Sequence, residues 1–156
     1  MVADSTFVVR IPAAMYQDML AHVAAGYPNE TCGLLASKEG QVVKNYPTAN
    51  AAEHPDDFSE ISPEDLLHIS YDIDDYDGEM YAYYHSHPKS EAYPSHRDIE
   101  WAKRNQLYYI IFSHRLYPEP PYVRVFSIQE DDTIIEGKVE VFSSPLYDAK
   151  GNLTSD

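Results

Sequence analysis

Tyr84-His85-Ser86-His87-Pro88, followed by Pro94-Ser95-His96-Arg97-Asp98, places two imidazoles and a carboxylate in one short stretch of the chain. Side chains two apart on a strand project from the same face, so His85 and His87 can reach a single ion while Ser86 points away. Asp98 then offers a third, anionic ligand. No fourth protein ligand is evident, which leaves the open position of a catalytic zinc site, where water or substrate completes the coordination. A structural zinc site usually closes with cysteines, and this chain has only Cys32. The chemistry implied is hydrolysis.

The elements that must hold these groups can be read from periodicity. Met80 to His85 is an aromatic-rich strand carrying the first histidine to its end, and Pro88 stops its pairing. Ser95 opens a helical pattern through Ile99, Trp101 and Ala102 to about Asn105. Upstream, Phe7 to Ile11 suggests a strand, and Pro12 suits the first turn of a helix whose stripe is Tyr16, Met19, Leu20 and Val23, with Gly26 as its stop. Glu30 sits at the mouth of Thr31 to Ala36, an apolar run expected to be a strand buried on both faces. A turn at Glu39-Gly40 returns the chain as Gln41 to Tyr46. Pro47 to Asp57 reads as a loop, with a short strand expected around Phe58 to Ile61. Ser62-Pro63-Glu64-Asp65 then caps a second helix with Leu66, Leu67, Ile69 and Tyr71 on its inner side. Leu107 to Ser113 and Tyr122 to Ile128 read as core strands, and Thr133 to Phe142 as the strand completing the sheet. The layout is α/β, a central sheet with a helix on each side and a third helix beside the metal site.

At 156 residues the chain has the size of one domain. We expect that domain over residues 1–146 and a flexible C-terminal tail over 147–156. Twenty-six acidic residues against eleven basic ones give a formal charge of −15, which repels nucleic acid and anionic lipid surfaces. Neither is expected as a partner. A single cysteine, no secretory signal and no apolar run approaching the roughly 20 residues of a membrane span make the cytoplasm the expected location.

Glu30, His85-Ser86-His87, seven residues, Ser95, two residues and Asp98 resembles the signature of the JAMM metalloproteases, also called the MPN-plus or JAB family. The resemblance spans roughly Phe7 to Phe142. Within the family, Glu30-Thr31-Cys32-Gly33-Leu34-Leu35 and Glu91-Ala92-Tyr93-Pro94-Ser95 look closest to the compact prokaryotic branch, which includes the mycobacterial enzyme that releases cysteine from a sulfur-carrier protein. It implies a cytidine-deaminase-like JAB/MPN sandwich, a mixed central β-sheet flanked by helices. It also implies one Zn2+ per chain on His85, His87 and Asp98, with Glu30 and Ser95 as catalytic residues. Glu30 would serve as general base and Ser95 as hydrogen-bond donor to the oxyanion. The substrate class implied is a ubiquitin-like or sulfur-carrier protein, cut after its C-terminal Gly-Gly tail at an isopeptide or linear bond. Pairing of the chain with itself as a homodimer stays open.

Each of these residues has a plainer reading. Ser95-x-x-Asp98 is also a helix-capping pattern, and Glu30 alone would be a solvated strand-end acid. The joint pattern favours chemistry. Cys32, inside an apolar strand, is expected to be core rather than a nucleophile. His96 is expected to face solvent, and His22, His54, His68 and His114 to be structural or exposed. The tyrosines at 81, 83, 84, 108 and 109 read as packing residues, while Tyr93 could line a substrate groove. Two other classes stay open: a non-catalytic scaffold of the same fold, and a cupin-like metal protein, which would need a further glutamate and histidine at other spacings.

Overall fold

The chain builds its site on a six-stranded sheet with order β3-β2-β4-β5-β6-β7. The computed structural model describes residues 7–115 and 122–143; the expected tail lies outside them. The elements run β1 Val8–Pro12, α1 Ala13–Gly26, β2 Cys32–Lys38, β3 Gln41–Thr48, α2 Pro63–Asp75, β4 Glu79–His87, α3 His96–Asn105, β5 Tyr108–Ser113, β6 Val123–Ile128, β7 Ile134–Glu136 and β8 Lys138–Phe142. β2 and β4 are interior strands of the sheet, which is why both are buried over most of their length. Glu39 and Gly40, both at positive φ, make the two-residue turn of the β2–β3 hairpin. β4 and β5 pair in parallel, as an α3 crossover requires.

Strand alternation splits the core between the two faces of the sheet. Leu34, Tyr83, Tyr109, Ile111 and Phe126 pack under α2 and α3. Leu35, Ala82, Tyr84, Ile110 and Phe112 pack against α1, with Val9 and Ile11 of β1. Among the described residues, no helix is long and apolar enough to cross a membrane.

Four details differ from the sequence reading. Thr133 to Phe142 is two strands, because the chain turns at Gly137: β7 finishes the main sheet, while β8 leaves it to pair in parallel with β1 as a separate ribbon. A Cβ on Gly137 would lie 2.5 Å from the Phe7 ring, so only glycine admits that approach. β1 accordingly belongs to this ribbon and not to the central sheet. Phe58 to Ile61 forms no strand; its polar groups are taken up by the loop itself, as where the Ala51 N–H donates to the Glu60 carbonyl at 2.8 Å. On α2 the inner stripe is Leu66, Ile69 and Ile73, whereas Leu67 and Tyr71 are more than half exposed. β4 also runs further than expected, through His87, which pairs with Ser113.

Gly33 faces Tyr84 across the β2–β4 pair, and a Cβ there would stand 2.5 Å from the Tyr84 ring. That ring is fully buried, so it has nowhere to go. Gly33→Ala is expected to cost about 1–3 kcal/mol of stability through overpacking, read as a lower urea midpoint. An unchanged midpoint would show that the ring yields freely.

Candidate metal centre

His85 and His87 sit at the end of β4 with their side chains on the α2/α3 face, as the two-residue period demands. Ser86, between them, points the other way and is fully buried. Its Oγ accepts from the Thr31 N–H at 2.8 Å, and its own N–H donates to the Thr31 carbonyl at 2.9 Å. This staple fixes the histidine-bearing strand end against the segment that carries Glu30. Asp98 arrives from the first turn of α3, where it is the N3 residue of a capping box. The Ser95 N–H donates to Asp98 Oδ2 at 2.8 Å and the Asp98 N–H to Ser95 Oγ at 3.2 Å. Capping therefore aims the third candidate ligand.

The three groups converge. His85 Nε2 and His87 Nε2 are 3.0 Å apart, His85 Nε2 is 3.3 Å from Asp98 Oδ1, and His87 Nε2 is 3.1 Å from Asp98 Oδ2. A tetrahedral zinc with bonds of about 2.0–2.1 Å holds its ligands roughly 3.3 Å apart, so the donors stand within a few tenths of an ångström of that spacing. His87 Nδ1 lies 2.8 Å from the Glu91 carbonyl, an acceptor only, so Nδ1 carries the hydrogen and Nε2 keeps a lone pair for the ion. The Tyr109 hydroxyl donates to Asp98 Oδ1 at 3.3 Å. Two nitrogens and a carboxylate suit zinc, and all three residues are buried. The donor set fits the ion.

Electrostatics follow from the packing. Burial pushes the Asp98 carboxyl up, but the adjacent His85 and His87 and the Ser95 N–H outweigh it and hold Asp98 well below the usual carboxylate range. Burial alone would lower His87; its hydrogen bond with Asp98 reverses that and raises it. Glu30, 8 % exposed, is raised by burial, with His85 and His87 pulling the other way and Asp98 adding to the rise. The Ser59 hydroxyl faces the same carboxyl. Ser95 is exposed at the helix mouth, and capping engages only its oxygen lone pair, leaving the hydroxyl hydrogen free. The capping and donor readings of Ser95 are thus compatible.

A family model described as prokaryotic homologs of the JAB domain matches residues 12–128. The chain belongs to the prokaryotic JAB family. The CysO-cysteine peptidase of Mycobacterium tuberculosis is 32% identical to it over 113 residues, 71% of this chain and 77% of that one. A desampylase of Haloferax volcanii is 34% identical over 101 residues, 61% of this chain and 73% of the other. Among solved structures, protein DSY2949 of Desulfitobacterium hafniense superposes with a TM-score of 0.75 at 27% identity, over 88% of this chain and 94% of that one. The fold is the JAB/MPN α/β fold, a mixed sheet between helices.

The remaining candidates in this JAB domain take plainer places. Cys32 is fully buried, and burial raises its thiol, as befits core. His96, His54 and His68 are exposed, and His22 Nε2 lies 3.2 Å from the Cys32 carbonyl. Half-buried His114 packs its ring against Tyr27. Tyr83 and Tyr109, which read from the sequence as packing residues, also carry polar contacts through their hydroxyls, Tyr109 to Asp98 and Tyr83 to Ser59. Nothing in local spacing marks them, because the partners lie on other elements.

Proposed function

We propose that this JAB-domain protein is a zinc-dependent peptidase or isopeptidase that cuts after the C-terminal Gly-Gly tail of a ubiquitin-like or sulfur-carrier protein. The observation that carries the reading is the convergence of His85, His87 and Asp98 at 3.0–3.3 Å beside the buried carboxyl of Glu30. Relatives named CysO-cysteine peptidase and desampylase support the substrate class. When bound, zinc on His85, His87 and Asp98 supplies Lewis acidity, making water acidic near neutral pH and polarising the scissile carbonyl.

The chain's own residues do the rest. Glu30 takes the proton of the attacking water, whose oxygen joins the carbonyl carbon, and returns a proton to the leaving amine as the C–N bond breaks. The products are a carboxylate on the last glycine and a free amine. Ser95, its oxygen pinned by the cap, turns its hydrogen toward the developing oxyanion. Burial of Glu30 brings its carboxyl closer to the working pH, where a base is most effective.

The test incubates zinc-loaded protein with a β-grasp carrier whose terminal glycine is amide-joined either to free cysteine or to a lysine side chain of a second protein. Mass spectrometry is expected to find the carrier ending in Gly-Gly with its acceptor released, and no product after zinc removal by a chelator. Failure to cleave either adduct would leave the non-catalytic scaffold as the better reading.

A further inference from the structure

Residues 49–61 form neither helix nor strand, yet they border Glu30, and one side chain organises them. Asn50 Nδ2 donates to the carbonyls of Phe58 at 2.9 Å, Glu30 at 3.0 Å and Pro55 at 3.4 Å. Its Oδ1 accepts from the N–H groups of Ala52 and Glu60, both at 3.0 Å. The amide is used to capacity, with one hydrogen shared between two carbonyls. The loop reaches Glu30 a second time, because the Glu30 N–H donates to the Pro55 carbonyl at 2.7 Å. Glu30 is therefore clamped through both of its backbone polar groups by a segment that Asn50 holds together.

The same loop carries Ser59 inward. Ser59 is buried, and its Oγ stands 2.5 Å from the Tyr83 hydroxyl on β4 while facing the Glu30 carboxyl. Either hydroxyl of that pair can donate to the other, and when Tyr83 donates the Ser59 hydrogen is left for the carboxylate. Asn50 thus controls both the backbone and the hydroxyl neighbour of Glu30 without touching the metal ligands.

We propose that Asn50 is a positioning residue for Glu30, and that the loop it organises sets where the carboxyl stands. This rests on Glu30 acting as the base. Moving a reacting group by about 1 Å can cost on the order of 100-fold in rate, and the outer-shell partners that orient metal ligands in the same way contribute about 10–100-fold. A loop-forming asparagine with no such part would affect stability and leave turnover intact.

The experiment is a double-mutant cycle in the zinc-loaded full chain, with the aminocoumarin amide of a Gly-Gly carrier as substrate. Asn50→Ala is expected to lower kcat about 10–100-fold while leaving KM and zinc affinity unchanged. In the Glu30→Gln background the same change is expected to have no further effect, since there is no base left to misplace. Asn50→Asp keeps the acceptor that holds Ala52 and Glu60 but loses both donor hydrogens, so it serves if the alanine variant fails to fold, with the same expected loss. Losses that multiply in the double variant, or a kcat unchanged by Asn50→Asp, would overturn the inference while the base survives. A Glu30→Gln protein with full activity would instead remove the base, and the inference with it.

Discussion

Replacing His87 with alanine is expected to cost the protein its zinc and all measurable turnover. Zinc binding in small sites is worth about 10–16 kcal/mol spread over four ligands, so each ligand carries roughly 2.5–4 kcal/mol, or about 100- to 1,000-fold in affinity. The loss should fall at the upper end here, because the proposed site has three protein ligands among the described residues and His87 is the best prepared of them. Its Nδ1–H is tied to the Glu91 carbonyl and its Nε2 already stands 3.1 Å from Asp98 Oδ2. Folding is expected to survive, since Asp98 keeps the Ser95 N–H, His85 and the Tyr109 hydroxyl as partners. The measurement is thermal unfolding with and without zinc. An ion that binds only the folded state stabilises it by about 2.7 kcal/mol at 100 times its Kd, so the wild type should melt higher in zinc and the variant should not. A zinc-induced shift of wild-type size in His87→Ala would take His87 out of the ligand set.

The metal centre was more legible in the sequence than the architecture around it, for a physical reason. Strand periodicity alone puts His85 and His87 on one face, and a capping box alone turns Asp98 back toward Ser95; both are local rules, so local sequence carries them. Gly137 shows the opposite case. The break between β7 and β8 falls where the Phe7 ring, far away in the chain, packs against Gly137, and a run such as Ile134 to Phe142 looks continuous in local sequence. On α2, Leu67 and Tyr71 compete with Ile73 for the inner face at helical spacings that local pattern cannot rank; only the docked sheet selects the stripe of Leu66, Ile69 and Ile73. The loop over 49–61 carries no period at all. Its order comes from the Asn50 amide and from Glu30 backbone groups some twenty residues earlier, so no local pattern reveals its contact with Glu30.

Glu30→Gln separates the base from the metal. The substitution keeps the shape of the side chain and leaves His85, His87 and Asp98 in place, so zinc should still bind and still raise the melting temperature. What it removes is the group proposed to accept the proton from water, and general-base catalysis contributes about 100- to 10,000-fold, so kcat is expected to fall by that order with KM nearly unchanged. Stability should move in the opposite direction. Burial holds the Glu30 carboxyl above its ordinary value, and a carboxyl raised in the folded state adds stability below its unfolded pKa and forfeits it as pH rises through the folded one. At neutral pH the charged carboxylate is therefore a cost to the fold that the neutral amide does not carry. Zinc-free Glu30→Gln is expected to melt above the zinc-free wild type at pH 7. A residue that weakens the fold and yet governs turnover is what an active-site base should look like, and a merely structural acid would lower stability when replaced. A variant that retains more than about a tenth of wild-type kcat would mean that the proton leaves by another route.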